Sequence, residues 1–160
     1  GRRREREVLV LPERVQMRLT SGGLFMPADL PAAERDAIAA QIKRFNESEF
    51  CRLLDMHIIE ASEGYAKVTM DCCGKMNPGG VAHGGAIFSL ADQAFGIAAN
   101  CCGTHRVAVF VSIHYIAPAK GLLVAEARRV SENGSCDTYR VLVHEGERPV
   151  AEFTGVAFRV

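Results

Sequence analysis

The segment from Asn77 to Asp92 contains residue types that could act on a carbonyl group. Gly84 and Gly85 open a predicted helix, where backbone N–H groups are unpaired and the helix dipole favours negative charge. Glycine lets a substrate atom approach the backbone closely, so this helix start is a candidate oxyanion hole. His83 and Asn77 could orient the loop or the substrate. The structural alternatives are a capping histidine and an ordinary Asn-Pro turn.

Asp92 is the other reactive side chain, and it lies in an apolar stretch that predicts a helix from Gly84 to Asn100. Burying a carboxylate costs several kcal/mol unless the group is paired or used in chemistry. No Lys or Arg lies three or four residues from Asp92 to pair with it on this helix. We therefore expect a base or nucleophile in an apolar cleft, whose pKa burial raises. The alternative is an aspartate satisfied by the backbone or solvent.

The spacing of Gly84 and Asp92 limits how they can cooperate. Eight residues separate them, which is about 12 Å along a helix axis. One carbonyl group cannot lie within hydrogen-bond distance of both. If both act on the same bond, Asp92 must come from a second copy of the chain, which predicts a two-fold dimer with shared active sites.

The helix that carries these residues is apolar on every side, which is typical of a buried helix. Alternation and turn signals predict an antiparallel sheet around it, with the last four strands forming a β-meander. Asn133-Gly134 is a strong hairpin signal within it. The predicted strands span residues 57–61, 65–72, 106–117, 122–131, 136–144 and 150–160. In the third strand, Val107, Val109, Val111, Ile113 and Tyr115 are predicted to share one face.

The N-terminal residues predict a helical appendage. Asp29 is a candidate N-cap for a helix running to about Phe45, with Ile38 and Ile42 on its apolar side. Asn46 predicts a second, short helix start. The residues before position 27 show no clear period, and we expect a solvated arm or a segment that wraps a neighbouring subunit. We divide the chain into an appendage, 1–48, and a main domain, 49–160.

Composition excludes several classes of protein. The chain has 160 residues, 48% of them hydrophobic, with 19 basic and 19 acidic residues. This length fits one domain that needs no disulfide or metal to fold, and the charge balance argues against a nucleic-acid binder. No apolar run is long enough for a membrane span. A chain of zero net charge tends to associate, so we expect an oligomer.

The six cysteines do not form a recognisable metal or redox motif. They include two adjacent pairs and no C-x-x-C spacing. No secretory leader pattern is present at the N-terminus. We therefore expect buried, reduced cysteines, no metal, and a cytoplasmic location.

These residues together resemble the PaaI-like acyl-CoA thioesterases of the hotdog fold. The resemblance covers about residues 50–160 and depends mainly on the N-x(5)-H-G-G-x(6)-D spacing from Asn77 to Asp92. It implies an α+β fold in which a curved antiparallel sheet wraps a long central helix. It also implies dimers with a continuous sheet, or dimers of dimers.

The resemblance implies roles for individual residues. The N–H of Gly84 would bind the thioester oxygen, with His83 and Asn77 shaping the loop. Asp92 of the partner subunit would act as base or nucleophile. Many relatives have Ser or Thr where this chain has Ala108, which would affect how water is positioned.

The substrate implied is an acyl- or aroyl-CoA, so coenzyme A is part of the substrate and no cofactor is expected. Gly85, Ala108, Val109 and Phe110 are candidate substrate contacts, and Phe88, Phe95 and Phe110 are candidates for shaping the acyl pocket. The candidate phosphate contacts are Lys120, Arg106, Arg128 and Arg129.

Two other functions are compatible with this fold. The first is a ligand-sensing regulator that binds acyl-CoA without cleaving it, which would have no use for Asp92. The second is a dehydratase or hydratase acting on acyl thioesters, which would favour a different pattern of His and acidic residues. Hydrolysis of the thioester is the preferred interpretation.

Overall fold

The structure, a computed structural model, describes residues 31–160 and contains a six-stranded antiparallel sheet wrapped around one long helix. The proposed cap at Asp29 lies outside the described residues. The elements, in chain order, are α1 (Ala32–Asn46), α2 (Glu49–Leu53), β1 (Met56–Ser62), β2 (Tyr65–Asp71), α3 (Gly84–Asn100), β3 (Arg106–Tyr115), β4 (Leu122–Asn133), β5 (Cys136–Glu145) and β6 (Arg148–Arg159).

The strand order is β1-β2-β4-β5-β6-β3, so only β4, β5 and β6 form the predicted meander. β3 does not pair with β4 as a four-strand meander requires. It pairs with β6 and lies at the edge of the sheet. The reason is that α3 carries the chain from β2 across the sheet, and β4 then returns to pair with β2. The Asn133-Gly134 hairpin is confirmed, with Gly134 at φ +60°.

Helix α3 packs against the concave face of the sheet. Leu90 and Phe95 are fully or almost fully buried, and the Phe95 ring lies against those of Tyr139 and Phe153. A Cβ at Gly155 would lie 2.9 Å from the Phe95 ring, so glycine is needed where β6 meets the helix. This contact fixes the distance between the helix and the strand beside β3.

The prediction that Val107 shares a face with Ile113 and Tyr115 is wrong, because β3 contains a β-bulge. Register is interrupted between Ala108 and Phe110, and an extra residue in a strand moves later side chains to the opposite face. After the bulge, Ile113 packs on the core and Tyr115 reaches α3. Before it, Arg106 points inward and contacts the end of α3. Val107 therefore lies on the other face of the sheet.

The predicted appendage contributes to the core. Ile38 and Ile42 of α1 are buried in the same apolar cluster as the sheet residues. The boundary at residue 48 stays a prediction. The start of α2 was wrong by two residues: its N-cap is Ser48, because the Asn46 side chain instead accepts a hydrogen bond from the backbone N–H of Ile58.

All six cysteines have free thiols. The expectation that they are buried holds for Cys51, Cys72 and Cys101, but Cys73 and Cys136 are exposed. None of the helices described in residues 31–160 is long and apolar enough to cross a membrane.

Candidate active site

The start of α3 has one backbone donor without an acceptor. The Nδ1 atom of His83 accepts the N–H of Gly85 at 2.9 Å, and the His83 carbonyl accepts from Ala86 and Ile87. Within residues 31–160 no atom accepts the N–H of Gly84. This free N–H lies at the positive end of the α3 dipole, as an oxyanion hole requires.

The same contacts define the orientation of His83. Because Nδ1 accepts a hydrogen bond, the proton of the neutral imidazole is on Nε2. The side chain is exposed and lines a different cleft from Gly84, so Nε2–H remains available as a donor. His83 is thus both the helix cap of the alternative interpretation and a group that can contact a ligand.

Asn77 closes the loop that precedes the helix. Its Oδ1 accepts the N–H of Gly79 at 2.8 Å, and its backbone N–H donates to the Val81 carbonyl. Its Nδ2 has no acceptor within the described part of the chain. Asn77 also lines a cleft of about 350 Å³ together with Gly84. Asn77 therefore closes the loop through Oδ1 and its backbone N–H, and its Nδ2 group remains free to donate.

Tyr115 positions Gly84 from the end of β3. Its hydroxyl donates to the Gly84 carbonyl at 2.9 Å. A Cβ at Gly84 would lie 3.3 Å from both Cζ and Oη of Tyr115, which is tighter than most real contacts. Sequence spacing gave no indication of this pair, because 31 residues separate them.

Asp92 lies on the one stripe of α3 that the sheet leaves uncovered. Gly85 is exposed, and Ser89, Asp92 and Gly96 on the same side of the helix are half-buried, so α3 is not buried on every side within one chain. Burial still raises the pKa of the Asp92 carboxyl above its ordinary value. It has no ion-pair or hydrogen-bond partner among residues 31–160. The helix is continuous from Gly84 to Asp92, so these two residues are about 12 Å apart along its axis.

A second cleft, of about 440 Å³, lies on the other side of the helix start. Its polar lining includes the side chains of Lys75, His83 and Ser89, and its apolar lining includes Phe50, Leu54 and Met76. Ser89 was not singled out from the sequence, although its position one turn after Gly85 could have indicated it. Its hydroxyl donates to the Gly85 carbonyl at 2.8 Å, which leaves its oxygen free to accept.

Comparison with known proteins identifies the family of this chain. The sequence model of the Thioesterase superfamily matches residues 79–152. A protein of Archaeoglobus fulgidus is 37% identical over 80% of this chain and 87% of its own. The acyl-coenzyme A thioesterase PaaI of Escherichia coli is 34% identical over 71% of this chain and 85% of its own. This chain belongs to the PaaI-like hotdog thioesterases.

Solved structures support the same assignment. The E. coli PaaI protein from the phenylacetic acid degradation operon superposes with a TM-score of 0.73, at 28% identity, covering 79% of this chain and 95% of that one. The TT0310 protein of Thermus thermophilus gives a TM-score of 0.68 at 32% identity, covering 71% of this chain and 99% of that one. As a member of this family, the chain is a thioester hydrolase.

The structure brings some of the predicted site residues of this thioesterase together and leaves others apart. Asn77, His83, Gly84 and Gly85 meet at the start of α3. The remaining predicted contacts with substrate lie on β3 and the loop after it. Ala108 and Phe110 flank the bulge residue Val109 on the exposed edge of β3, Phe110 points to the outer face, and Lys120 is exposed beyond Pro118. Their roles in binding stay predictions.

Two of the aromatic residues proposed to shape the pocket belong to the core. Phe95 is buried, and the half-buried Phe88 packs edge-on against Phe153.

Three of the four candidate phosphate contacts are engaged elsewhere. Arg106 is buried, with Nε 2.7 Å from Oδ2 of Asp137. Arg128 lies over the Tyr65 ring, and Arg129 forms an ion pair with Glu63. Only the Lys120 side chain has no carboxylate partner within the described residues, so it is the one of the four that could contact a phosphate.

Proposed function

We propose that this thioesterase hydrolyses an acyl- or aroyl-CoA to the free acid and CoA, in a site shared between two subunits. The observation that carries the proposal is the Gly84 N–H, which has no acceptor within residues 31–160. Gly84 lines the 350 Å³ cleft, and its neighbours His83 and Gly85 line the 440 Å³ cleft. The Gly84 N–H would stabilise the negative charge that develops on the thioester oxygen, with Nε2–H of His83 as a second donor. The E. coli relative, which is an acyl-CoA thioesterase by name, supports the choice of substrate.

The two clefts suggest how the substrate lies. The 440 Å³ cleft beside Phe50, Leu54 and Met76 is apolar enough for an acyl chain or an aromatic ring. The 350 Å³ cleft beside Tyr115 and Pro118 would take the pantetheine arm. Lys120 lies just beyond Pro118 and would contact a phosphate.

The second subunit supplies the carboxylate. Asp92 cannot reach a carbonyl bound at Gly84 of its own chain, but the uncovered stripe of α3 permits a second α3 to pack beside it in the opposite direction. The unpaired edge of β3 would then extend the sheet, with Ala108, Val109 and Phe110 at the interface. Asp92 of the partner subunit would act as base toward water, or as nucleophile.

The proposed assembly is a homodimer or a dimer of dimers, with no cofactor beyond the CoA of the substrate. A cytoplasmic location stays a prediction from cysteine usage.

Thiol release from short, long and aromatic acyl-CoAs tests the activity, with Asp92→Asn as the first variant. Removing a general base typically lowers kcat by about 10²–10⁴-fold. Tight acyl-CoA binding without thiol release by the natural chain would reject hydrolysis and favour the ligand-sensing alternative.

Mixing two inactive variants tests whether the site is shared. Gly84→Pro removes the N–H donor and Asp92→Asn removes the carboxylate. In a mixed dimer, one of the two sites combines an intact Gly84 with an intact Asp92 of the partner subunit. Half of the dimers in an equal mixture are mixed and each has one working site, so about a quarter of the natural activity returns. A mixture that stays inactive after subunit exchange contradicts a shared site.

A further inference from the structure

A third cleft lies between α1 and the turn that joins α3 to β3. Its volume is about 660 Å³, within the range of small-molecule sites. Gln41 and Arg44 line it from α1, and Asn100, His105 and Val107 line it from the other side. None of the residues that line it is Asp or Glu.

The charge of this cleft suits an anion. The Arg44 guanidinium donates to the neutral side-chain oxygen of Gln41 at 3.2 Å and has no carboxylate partner within residues 31–160. His105 is exposed and adds an imidazole. A guanidinium without a carboxylate partner is a preferred ligand of phosphate groups.

The cleft also has an apolar wall. Phe45 is half-buried and Val107 is 46% exposed, and both line the cleft. A flat base can pack on an aromatic ring and an aliphatic side chain while the phosphates of the nucleotide contact the Arg44 guanidinium. The combination therefore fits a nucleotide better than a simple anion.

Within one chain this cleft is far from the reacting carbonyl. Asn100 lies at the opposite end of α3 from Gly84, about 24 Å away along the axis. Two-fold pairing of β3 changes this relationship, because antiparallel pairing places the start of one strand beside the end of the other. Val107, near the start of β3, lines this cleft, whereas Tyr115, at its end, lines the cleft at Gly84. The two clefts, from different subunits, would thus become neighbours.

We infer that the cleft of Arg44 and His105 binds the 3′-phospho-ADP end of a CoA thioester whose carbonyl is bound at Gly84 of the partner subunit. This inference rests on the proposed function, since it needs both a CoA substrate and a shared site. It gives α1 a role in binding substrate.

The experiment compares one acyl-CoA with the matching acyl-pantetheine, which lacks the nucleotide. For Arg44→Gln, the KM for acyl-CoA rises about three- to tenfold, as for loss of one charged contact at a partly exposed site. Its kcat and all constants for acyl-pantetheine stay unchanged. His105→Gln, a second surface variant, changes KM in the same direction.

Lys43→Gln is the matched control. Lys43 is an exposed cation on the same helix, paired with Glu47 at 3.8 Å and outside the cleft. Its removal leaves both substrates unaffected. Adenosine 3′,5′-bisphosphate competes with acyl-CoA in the natural enzyme and competes several-fold more weakly in Arg44→Gln.

Three outcomes overturn the inference. If Arg44→Gln leaves the KM for acyl-CoA unchanged, or impairs both substrates equally, the cleft does not bind the nucleotide even though hydrolysis stands. Equal effects of Arg44→Gln and Lys43→Gln indicate general electrostatic attraction and overturn the site as well. A natural chain that cleaves neither substrate overturns the proposed function, and this inference with it.

Discussion

Replacing Gly84 by proline and, in parallel, by alanine separates the proposed oxyanion donor from the other effects of a side chain at that position. Gly84 is the first residue of α3, where proline is well tolerated, and its N–H has no acceptor within residues 31–160 to lose. His83 is already at φ −62° and ψ 135°, the extended region that a residue before proline adopts. The substitution therefore removes the donor without breaking the helix.

Gly84→Ala is the matched control, because it adds the same Cβ and keeps the N–H. That Cβ lies 3.3 Å from two atoms of Tyr115, so the ring must shift by a few tenths of an ångström. Tyr115 is 48% exposed and can move outward. Replacing glycine also reduces the conformational entropy of the unfolded chain, which stabilises the fold by up to about 1 kcal/mol and offsets the cost of this contact. We expect the free energy of unfolding of both variants to lie within about 1 kcal/mol of that of the natural protein.

The two variants should differ in activity. A small displacement of the donor lowers kcat of Gly84→Ala by roughly tenfold, since errors of about 1 Å in position cost about a hundredfold. Loss of a whole oxyanion donor lowers kcat by a further factor of about 10²–10³, which is expected only for Gly84→Pro. Thiol release measures kcat and calorimetry measures Tm. Equal activity of the two variants, with both folded, would refute the assignment of the Gly84 N–H as donor.

Other perturbations test the surrounding structure. Burial raises the pKa of Asp92, so as the pH is lowered, activity that needs the carboxylate is lost at a higher pH than it would be with an ordinary aspartate. The uncharged variant Asp92→Asn should have a higher Tm than the natural protein at pH 7, and a lower Tm would contradict the burial argument. Asp137→Ala leaves Arg106 charged and buried without its partner, so denaturant titration should show a loss of about 3–5 kcal/mol, and an unchanged midpoint would contradict a structural ion pair. The backbone N–H groups of Lys120 and the following residue, together with Arg148, lower the pKa of Glu145 to about 2. The stability it adds is therefore complete above its ordinary pKa of 4.5 and is lost as pH falls toward 2, and Glu145→Gln should remove this part of the Tm dependence on pH.

Local patterns predicted most of the elements. Helix α3 was predicted from Gly84 to Asn100 without error, because its apolar residues, glycine start and histidine cap all act within one or two turns. The strands of β4 and β5 were found from alternation and from Asn133-Gly134, whose turn conformation needs only neighbouring residues. The errors arose where neighbours do not decide the conformation, as at the β3 bulge, where Val107 changes face because of its pairing with β6.

The site was predicted in part for the same reason. Asn77, His83 and Gly84 are close in sequence, and the capping and loop contacts that join them are local. Tyr115 was missed because its bond to Gly84 forms only when β3 crosses the start of α3. Arg106 was expected to be available for phosphate, but folding buries it against Asp137, 31 residues later in the chain.

The sequence by itself determined the thioesterase family, the central helix and the group of polar residues at its start, because each depends on residue types at short, fixed spacing. Only the tertiary structure decided which Gly84 atoms are free, which cations are already paired, and that β3 lies at an open edge of the sheet. Those properties depend on contacts between segments distant in the chain, whose geometry is set by packing of α3 against the sheet.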